Sequence, residues 1–261
     1  MVSVKGVLLV AGEISSGNRE ITVLTFNIFH GATTQGDYDL DRIAQVIRDA
    51  EPDLVALQEV DYRTHRAKNM DLAMELGYRT GLIPLFGKAM NFDGGEYGNA
   101  VLSRWSLIQT RIIPLPFRTG HEPRVAVEVM TVMPAGDTLV FVSTHLDYLS
   151  QDSVRMMQVN HLVREMESYP YPMVLAGDFN DIPGSRTIQT LQKIWSPAYA
   201  PDQPAFTFPS NCPDRKIDYI MTCPNDGWEV INRQVIQDSV ASDHCAYRVR
   251  LRHVVRDGDD Q

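Results

Sequence analysis

The chain lacks the features that mark several protein classes. Its 261 residues contain only three cysteines, Cys212, Cys223 and Cys245, and their spacing matches no zinc-binding or CxxC pattern. An odd number leaves at least one thiol without a partner in the chain, and a Cys212–Cys223 disulfide stays open for an exported protein. No apolar run approaches the ~20 residues that a membrane-spanning helix needs. The sequence therefore predicts no transmembrane segment, and it leaves open whether the protein is cytoplasmic or exported.

Basic residues are also scarce, with 24 Lys and Arg against 33 Asp and Glu and a net charge of −9. Proteins that grip nucleic acid without sequence preference use basic faces to neutralise phosphates, so this acidity disfavours a nucleic-acid partner without excluding one. Hydrophobic residues make up 44% of the chain, which is enough to bury a sizeable core. We expect a monomer with one domain over residues 1–253 and a flexible charged tail at 254–261.

Short β-branched or aromatic runs recur along the chain and predict strands. Four amphipathic stretches between them predict helices at residues 38–50, 69–76, 152–168 and 185–194. The early strand–helix–strand spacing indicates parallel pairing, and later closely spaced runs indicate hairpins. We therefore expect an α/β fold with one mixed sheet or two, and helices outside. The eight predicted strands cover residues 21–26, 54–57, 100–102, 125–132, 138–143, 173–176, 217–221 and 246–251.

Polar side chains follow many of these apolar strands at the point where the strand ends. Because ligands of α/β proteins bind outside the carboxyl ends of strands, groups from separate strands can converge there. Taken singly, an Asp or Asn after a strand is more often a turn former or a helix cap. Asp218 does not fit that explanation, because it lies inside the apolar run KIDYI and would be costly to bury without a partner. The repeated pattern predicts one shared site containing Asn27, Glu59, His145, Asp178, Asn180, Asp218, Asp243 and His244.

These residues lie in motifs that resemble the endonuclease/exonuclease/phosphatase superfamily, the DNase-I-like fold. The motifs occur in the family's order from about Ile21 to Leu251, and GDFN with a terminal SDH is a specific combination. The resemblance implies a four-layer sandwich of two packed mixed β-sheets flanked by helices. It also implies metal-dependent hydrolysis of phosphate esters. The matching segments are TFNI with Asn27, LQEV with Glu59, YGNA from Tyr97, THLD with His145, GDFN with Asp178 and Asn180, KIDYI with Asp218, and SDH with Asp243 and His244.

The resemblance also implies roles for the catalytic residues. Asp178 is expected to orient or deprotonate the attacking water, and Asn180 to bind a phosphate oxygen or hold Asp178. His244 is expected to stabilise charge on the phosphate, with Asp218 accepting from its other ring nitrogen. His145 is similar to the family's second histidine, which contacts phosphate or donates to the leaving oxygen.

Glu59 and Asp243 are similar to the family's metal ligands, and Asn27 is expected to join them or to hold a ligand water. Magnesium prefers hard oxygen ligands and often uses only one or two carboxylates together with waters and substrate phosphate. We therefore expect Mg²⁺ as the cofactor, with Mn²⁺ or Ca²⁺ as substitutes. No Cys/His cluster in the sequence favours zinc instead.

Substrate contacts are predicted less sharply. The segment FRTGHEPRVAVEV carries Arg118, His121 and Arg124, which form either a solvated hairpin loop or an anion-binding loop beside the site. Arg124 is the strongest of the three because it enters a strand. Tyr97 and Asn99 either contact substrate or close the sheet.

The sequence thus predicts a metal-dependent hydrolase of phosphomonoesters or phosphodiesters. No Lys/Arg cluster stands out, so a small-molecule or lipid phosphodiester is slightly favoured over DNA or RNA. The apolar stretch at 82–92 belongs to the core or, if exposed near the site, admits an apolar leaving group. A nuclease is the alternative, and a non-catalytic binding module would predict the loss of a central group, but none is missing. His30 fits no motif but follows Asn27 closely enough to line the mouth of the site.

Overall fold

The computed structural model describes residues 19–254, which form two six-stranded sheets, four α-helices and a short 3-10 turn at Phe29–Gly31. Sheet 1 contains β1 (Glu20–Asn27), β2 (Leu54–Tyr62), β3 (Ile83–Phe92), β4 (Gly95–Ser103), β11 (Trp228–Ile236) and β12 (Ala246–His253). Sheet 2 contains β5 (Leu107–Leu115), β6 (Arg124–Val132), β7 (Thr138–His145), β8 (Met173–Asp178), β9 (Ser196–Pro197) and β10 (Asp218–Cys223). The helices are α1 (Leu40–Asp49), α2 (Leu72–Thr80), α3 (Ser153–Met166) and α4 (Arg186–Leu191).

Each sheet is antiparallel except at its centre. The strand order is β11-β12-β1-β2-β4-β3 in sheet 1 and β5-β6-β7-β8-β10-β9 in sheet 2. The parallel pairs are β1–β2 and β7–β8. The predicted parallel pairing early in the chain and the predicted hairpin of β6 with β7 are both confirmed. Each sheet therefore presents the carboxyl ends of its two central strands side by side, where ligands of such sheets bind.

Three apolar clusters divide the molecule into four layers. The first joins sheet 1 to α1 and α2, with Leu24 packed in the same cluster as Ile43. The second lies between the sheets and contains Val23 and Phe141. The third joins sheet 2 to α3 and α4 and contains Leu162. The neighbours Val23 and Leu24 lie in different clusters because side chains alternate along a strand. The order helix–sheet–sheet–helix confirms the predicted four-layer sandwich.

Side-chain caps fix the starts of three helices. Asp39, Asp71 and Ser185 accept hydrogen bonds from backbone N–H groups in the first turns of α1, α2 and α4. The predicted end of α2 before Gly77 is wrong, because the helix continues and is capped by Gly81 in a left-handed conformation. A Cβ at Gly77 would lie 2.8 Å from the Pro84 ring. That glycine therefore allows close packing of α2 on β3 and does not stop the helix.

Four strands were not predicted from the sequence, and they are the four edges of the two sheets, β3, β5, β9 and β11. An edge strand pairs on one side only and is partly exposed, so its apolar residues do not form a continuous run. The stretch at 82–92 illustrates this, since most of it is edge strand β3 and its Ile83 and Phe92 side chains are exposed.

An irregularity in β2 directs Glu59 towards the ends of the other strands. Between Leu57 and Val60, β2 has one residue more than the segment of β4 that it faces. The Leu57 and Val60 side chains both pack beneath α1 and α2. Strict alternation would turn Glu59 to the same helix-covered face as Leu57, but the extra residue lets its carboxylate reach Asn27. Glu59 adopts φ 56°, a left-handed conformation that costs a non-glycine residue roughly 1–3 kcal/mol. The strand therefore does not end before Glu59, as predicted, but bulges there.

The remaining sequence predictions concern thiols, membranes and tails. All three cysteines are free thiols, so no Cys212–Cys223 disulfide is formed. Within the part of the chain that the structure describes, no helix is long and apolar enough to cross a membrane. Residues 1–18 and all of the predicted tail except Val254 lie outside the described residues.

Replacing Gly177 with alanine should destabilise the protein and displace the adjacent Asp178. A Cβ at Gly177 would lie 1.9 Å from the carbonyl oxygen of Thr144 on the paired parallel strand β7. We expect a loss of about 1–3 kcal/mol in the free energy of unfolding, the usual cost of overpacking a core. The measurement is denaturant unfolding.

Gly136→Ala is the matched control. It lies in the β6–β7 turn, and a Cβ there meets nothing within 4 Å, so only its positive φ of 95° opposes the substitution. Equal losses for the two variants would contradict the close approach of β7 and β8 as the reason for Gly177.

Candidate active site

The polar ends of the central strands surround one open cavity of about 640 Å³. Two predicted site residues, Asn27 and Asp218, do not line this cavity. They are buried behind its wall and bind residues of the wall. A third predicted residue, Asn99, has no contact with the cavity. Its amide donates to the carbonyl of Val125 between the sheets, and its side chain is not part of the wall. The predicted substrate contact of Asn99 is therefore not supported. Eight predicted residues form part of the wall: Glu59, Tyr97, Arg124, His145, Asp178, Asn180, Asp243 and His244.

His145, Asp178 and Asp218 form a row across three strands of sheet 2. His145 ends β7, Asp178 ends β8 and Asp218 begins the antiparallel β10, so the register places Asp178 between the other two. All three residues are at most 3% exposed. Two carboxylates buried side by side are unfavourable unless a cation and hydrogen-bond donors compensate for their charge.

His244 supplies that cation from the loop before β12. Its Nδ1 lies 3.0 Å from an Asp218 oxygen, and its Nε2 lies 3.7 Å from an Asp178 oxygen. Burial alone would lower the pKa of His244, but Asp218, and then Asp178 and Asp243, raise it to about 10. The ring is therefore an imidazolium at neutral pH, and Asp218 fixes its orientation.

Asp178, Asp218 and His244 also form the one group of three candidate metal-ligand atoms, within residues 19–254, that lie within 4.8 Å of one another. A doubly protonated imidazole has no lone pair to offer a metal ion. We therefore interpret this group as a triad of charged groups, held by the His244–Asp218 hydrogen bond, and not as a metal centre. The ring of Phe208 packs against His244 with centroids 4.7 Å apart and covers one side of the imidazolium.

His145, in contrast to His244, is held in its neutral form. Its Nδ1 lies 3.1 Å from Nη1 of Arg124, and because a guanidinium only donates, Nδ1 must accept. Its Nε2 lies 3.4 Å from an Asp178 oxygen, the acceptor for its proton, while the neighbouring Asn180 amide nitrogen at 3.0 Å donates to the carbonyl of Leu146. Burial, and then the charge of Arg124, lower the pKa of His145 well below its usual value. The ring is therefore neutral, with its single proton on Nε2.

Asn27 connects the two sheets at the site. Its amide nitrogen donates to Glu59 at 3.2 Å and to Asp178 at 3.3 Å. Its side-chain oxygen accepts from the backbone N–H of Phe29 at 3.1 Å, which fixes the orientation of the amide. The backbone carbonyl of Asn27 accepts from the Ser242 hydroxyl, so the loop that carries Asp243 is anchored to the same strand end.

The pKa values of two acidic groups near Asn27 are shifted in opposite directions. Burial would raise the pKa of Glu59, but the contact with His30, the Asn27 amide and the positive charge of His244 lower it to about 2. Burial, together with the nearby charge of Glu59, raises the pKa of Asp243. Glu59 is therefore a fixed anion at the cavity wall.

A divalent cation fits the donors around Glu59. The Glu59 side chain is 25% exposed, its carboxylate is ionised, and Asp243 is close enough to influence it. Oxygen donors with room for waters suit Mg²⁺. Asn27 turns its amide nitrogen, which cannot bind a cation, towards the carboxylates. In this arrangement Asn27 holds Glu59 in place, and its predicted part in the metal shell stays a prediction.

Arg124 is a buried cation in the cavity wall. Its guanidinium contacts His145 and lies 3.4 Å from the Tyr97 hydroxyl. The other two residues of the predicted anion-binding loop, Arg118 and His121, are not part of the wall. Arg118 is exposed, and His121 pairs with the buried Asp147 at 2.9 Å. Only Arg124 and Tyr97 among the predicted substrate contacts are therefore placed to touch a ligand.

Several residues on the wall carried no sequence signal. Arg66 lies in the loop after β2, where Asp61 binds its guanidinium through two hydrogen bonds and the ring of Phe92 stacks on it at 4.5 Å. Arg215 stacks over Phe208 at 4.8 Å. Both arginines come from loops, so neither periodicity nor a motif marked them, whereas Phe92 belongs to the apolar stretch at 82–92 that the sequence placed either in the core or near the site. His30 does line the cavity, as the sequence suggested.

Two packed mixed sheets that deliver carboxylates and imidazoles to one cavity define a DNase-I-like phosphoesterase fold. The chain belongs to the Endonuclease/Exonuclease/phosphatase family, whose model matches residues 24–244.

Solved structures share this fold at low sequence identity. An endonuclease/exonuclease/phosphatase from Beutenbergia cavernae is 23% identical with a TM-score of 0.73, over 90% of this chain and 72% of that one. A mannosyl-6-phosphatase from Bacteroides thetaiotaomicron is 17% identical with a TM-score of 0.70, over 88% and 99% of the two chains. The human Nocturnin catalytic domain with a bound sulfate anion is 19% identical with a TM-score of 0.69, over 91% and 96%. At these identities the likeness shows the fold alone.

Asp218→Asn should return the pKa of His244 towards its ordinary value, because it removes the main charge that raises it. A raised pKa stabilises the folded state fully below about pH 6.5 and loses this effect as pH rises towards about 10. The stability difference between wild type and Asp218→Asn should therefore be largest near pH 6 and should shrink towards pH 10. The measurements are denaturant unfolding at both pH values and the NMR titration of the His244 ring.

Asp202→Asn, an exposed carboxylate, is the control and should show no such pH dependence. A His244 titration midpoint that is the same in wild type and Asp218→Asn would refute the triad.

Proposed function

We propose that the protein hydrolyses phosphate esters with the help of a divalent metal ion. The observation that carries the proposal is the His244 imidazolium, which Asp218 and Asp178 hold at the cavity wall. A fixed cation there can stabilise negative charge on a phosphoryl group, and positioning with charge stabilisation is what phosphoryl transfer chiefly requires. Members of the family are in general hydrolytic phosphoesterases, which supports the same chemistry here.

Asp178 is the proposed general base. Burial and the neighbouring Asp218 raise the pKa of Asp178, which makes it a stronger base than a free carboxylate. Its Oδ1 accepts the backbone N–H of Asn180 at 2.9 Å, which holds the carboxylate in place. In the proposed step, the oxygen of a water bound to Asp178 bonds to phosphorus, the water's proton passes to Asp178, and the bond from phosphorus to the leaving oxygen breaks.

Fixed donors around Asp178 are proposed to hold the phosphoryl oxygens. His244 offers a charged Nε2–H, and His145 offers a neutral Nε2–H that the Arg124 contact directs away from Nδ1. The Asn180 amide lies beside the His145 ring and is anchored to the carbonyl of Leu146 at 3.0 Å. Because protein contacts already orient these donors, little reorganisation is needed when charge develops.

Glu59 and Asp243 are the proposed metal ligands, with Asn27 holding Glu59. When bound, Mg²⁺ would polarise a phosphate oxygen and offset the negative charge of the surrounding acids. The proposal needs such a cation, because an acidic wall would otherwise repel an anionic substrate.

A small-molecule or lipid phosphate ester is the proposed substrate class, ahead of nucleic acid. The cavity wall holds more acids than arginines, and the chain as a whole is acidic. A nucleic-acid groove would instead be expected to be basic along its length. Part of the wall is apolar, which suits an uncharged or apolar alcohol group. The apolar wall residues are Met90, Phe92, Ile182, Phe208 and Ile217.

Chelation should abolish hydrolysis of a generic phosphodiester such as bis-p-nitrophenyl phosphate, and Mg²⁺ or Mn²⁺ should restore it. Glu59→Gln should lower kcat/KM at least about 100-fold, because the neutral amide keeps the shape of the ligand but loses its charge. Release of p-nitrophenol is measured by absorbance, and circular dichroism shows that the variant is folded.

Glu167→Gln, an exposed glutamate at the end of α3, is the matched control and should retain full activity. Full activity of Glu59→Gln would exclude Glu59 as a ligand.

A panel of substrates separates the proposed class from the alternative. Plasmid DNA, oligonucleotides, inositol phosphates, sugar phosphates and phospholipids are assayed under the same metal conditions. We expect the highest kcat/KM among the small or lipid esters. Preferred cleavage of DNA or RNA would support a nuclease, and cleavage of no member together with tight ligand binding would support a non-catalytic module.

A further inference from the structure

The turn that follows β1 has an unusual backbone conformation. Phe29, His30 and Gly31 adopt φ values of 46°, 47° and 84° in succession, and only the third is a glycine. Left-handed conformations are unfavourable for residues with a Cβ, although histidine is among the side chains that occupy them more often. The surrounding contacts maintain this turn, since the carbonyl of His30 accepts from the Tyr38 hydroxyl at 3.0 Å. The result of the turn is that the His30 ring lies at the cavity wall.

His30 faces Glu59, which is itself in a left-handed conformation at the bulge of β2. Two strained non-glycine residues, one in the turn after β1 and one in β2, thus meet at one point. Strain of this kind tends to occur where a binding site needs a side chain that regular structure would direct elsewhere. Neither residue would reach this point from a regular strand end.

The His30 and Glu59 side chains lie close together but do not form a hydrogen bond. Nδ1 of His30 lies 3.6 Å from Oε2 of Glu59, which is too long for a hydrogen bond. The nitrogen is buried and has no hydrogen-bond partner among the described residues. The other carboxylate oxygen of Glu59 is bound to Asn27. The ring of Phe29 lies 4.5 Å from the His30 ring, centroid to centroid, and limits its rotation.

A shared cation would account for this gap. Two ligand atoms about 2.1 Å from one ion lie about 3.0 Å apart at a right angle and about 3.4 Å apart at a tetrahedral angle. The observed 3.6 Å is only slightly longer. Within residues 19–254 no third acidic or histidine ligand atom lies within 4.8 Å of both, so Asp243, the other proposed ligand, would reach this cation through a water, and the remaining positions would be left to waters and substrate oxygens. An open metal site of this kind is typical of hydrolases.

We propose that His30 Nδ1 and Glu59 Oε2 ligate the same divalent cation, and that this nitrogen ligand makes the site prefer a first-row transition ion to Mg²⁺. The proposal rests on the metal dependence put forward under Proposed function. Imidazole is a common ligand for ions such as Co²⁺ and Zn²⁺, whereas Mg²⁺ selects oxygen and retains its waters. A single imidazole beside a carboxylate would therefore shift the choice of metal without changing the other catalytic groups.

His30→Asn is the variant that tests the proposal. Asparagine tolerates the left-handed backbone, so the turn should persist while the imidazole is removed. His65→Asn is the matched control, because His65 is an exposed histidine that also pairs with an acid, Asp93, but lies outside the cavity. The full chain is loaded with Mn²⁺ for electron spin-echo envelope modulation and with Co²⁺ for visible absorption. Calorimetry gives the dissociation constants of Mg²⁺, Mn²⁺ and Co²⁺.

In wild type and His65→Asn we expect ¹⁴N modulation from a nitrogen bound directly to Mn²⁺. His30→Asn should lose this signal, alter the Co²⁺ spectrum and weaken Co²⁺ binding at least about tenfold, the minimum expected when a contact to a bound metal is removed. Its affinity for Mg²⁺ should change less.

A ¹⁴N signal that persists in His30→Asn, or an unchanged ratio of Mg²⁺ to Co²⁺ affinity, would overturn the role of His30 and leave the proposed hydrolase intact. It would mean that His30 and Glu59 form only an ion pair. Failure of the wild-type chain to bind any of the three metals would instead overturn the metal-dependent function together with this inference. Circular dichroism and thermal unfolding of His30→Asn confirm that the variant is folded.

Discussion

The site depends on one contact between the two sheets, the Asn27 amide that donates to Glu59 on sheet 1 and to Asp178 on sheet 2. Each sheet has a central parallel pair, and the carboxyl ends of both pairs meet at the same edge of the sandwich. Two acidic groups are thereby brought together at the end of an apolar core, where their repulsion would separate the sheets if nothing opposed it. Asn27 opposes it with a donor whose direction Phe29 fixes through the backbone.

The same buried environment holds two histidines in different charge states. His244 lies against Asp218 and Asp178 and is cationic, whereas His145 lies against Arg124 and is neutral. Burial lowers the pKa of both rings, so the neighbouring charges decide the difference. In the proposed reaction, a neutral ring and a charged ring on either side of Asp178 would offer two distinct donors to a phosphoryl oxygen without a second imidazolium.

The parts of the fold predicted from the sequence are those that regular periodicity controls. All eight predicted strands are central or paired on both sides, because burial on both faces yields a continuous apolar run; the four edge strands gave no such signal. The meeting of Asp218 with His244 could be expected because a carboxylate in KIDYI needed a partner. The bulge at Glu59 and the left-handed turn at His30 could not, since both depend on backbone conformations that the residue types disfavour and tertiary contacts impose.

The groups proposed to act on the phosphate and the arginines that line the rest of the cavity come from different parts of the fold. The proposed catalytic groups come from strand ends and the SDH loop, while Arg66 and Arg215 come from loops and stack on aromatic rings at the cavity wall. Each of these arginines already pairs with an acid, Asp61 or Asp214. They therefore present planar, largely neutralised surfaces and not a basic groove. Such walls would suit the proposed compact ester, held by stacking, better than a polyanion held by charge, because counterion release gives little where the arginine charge is already compensated.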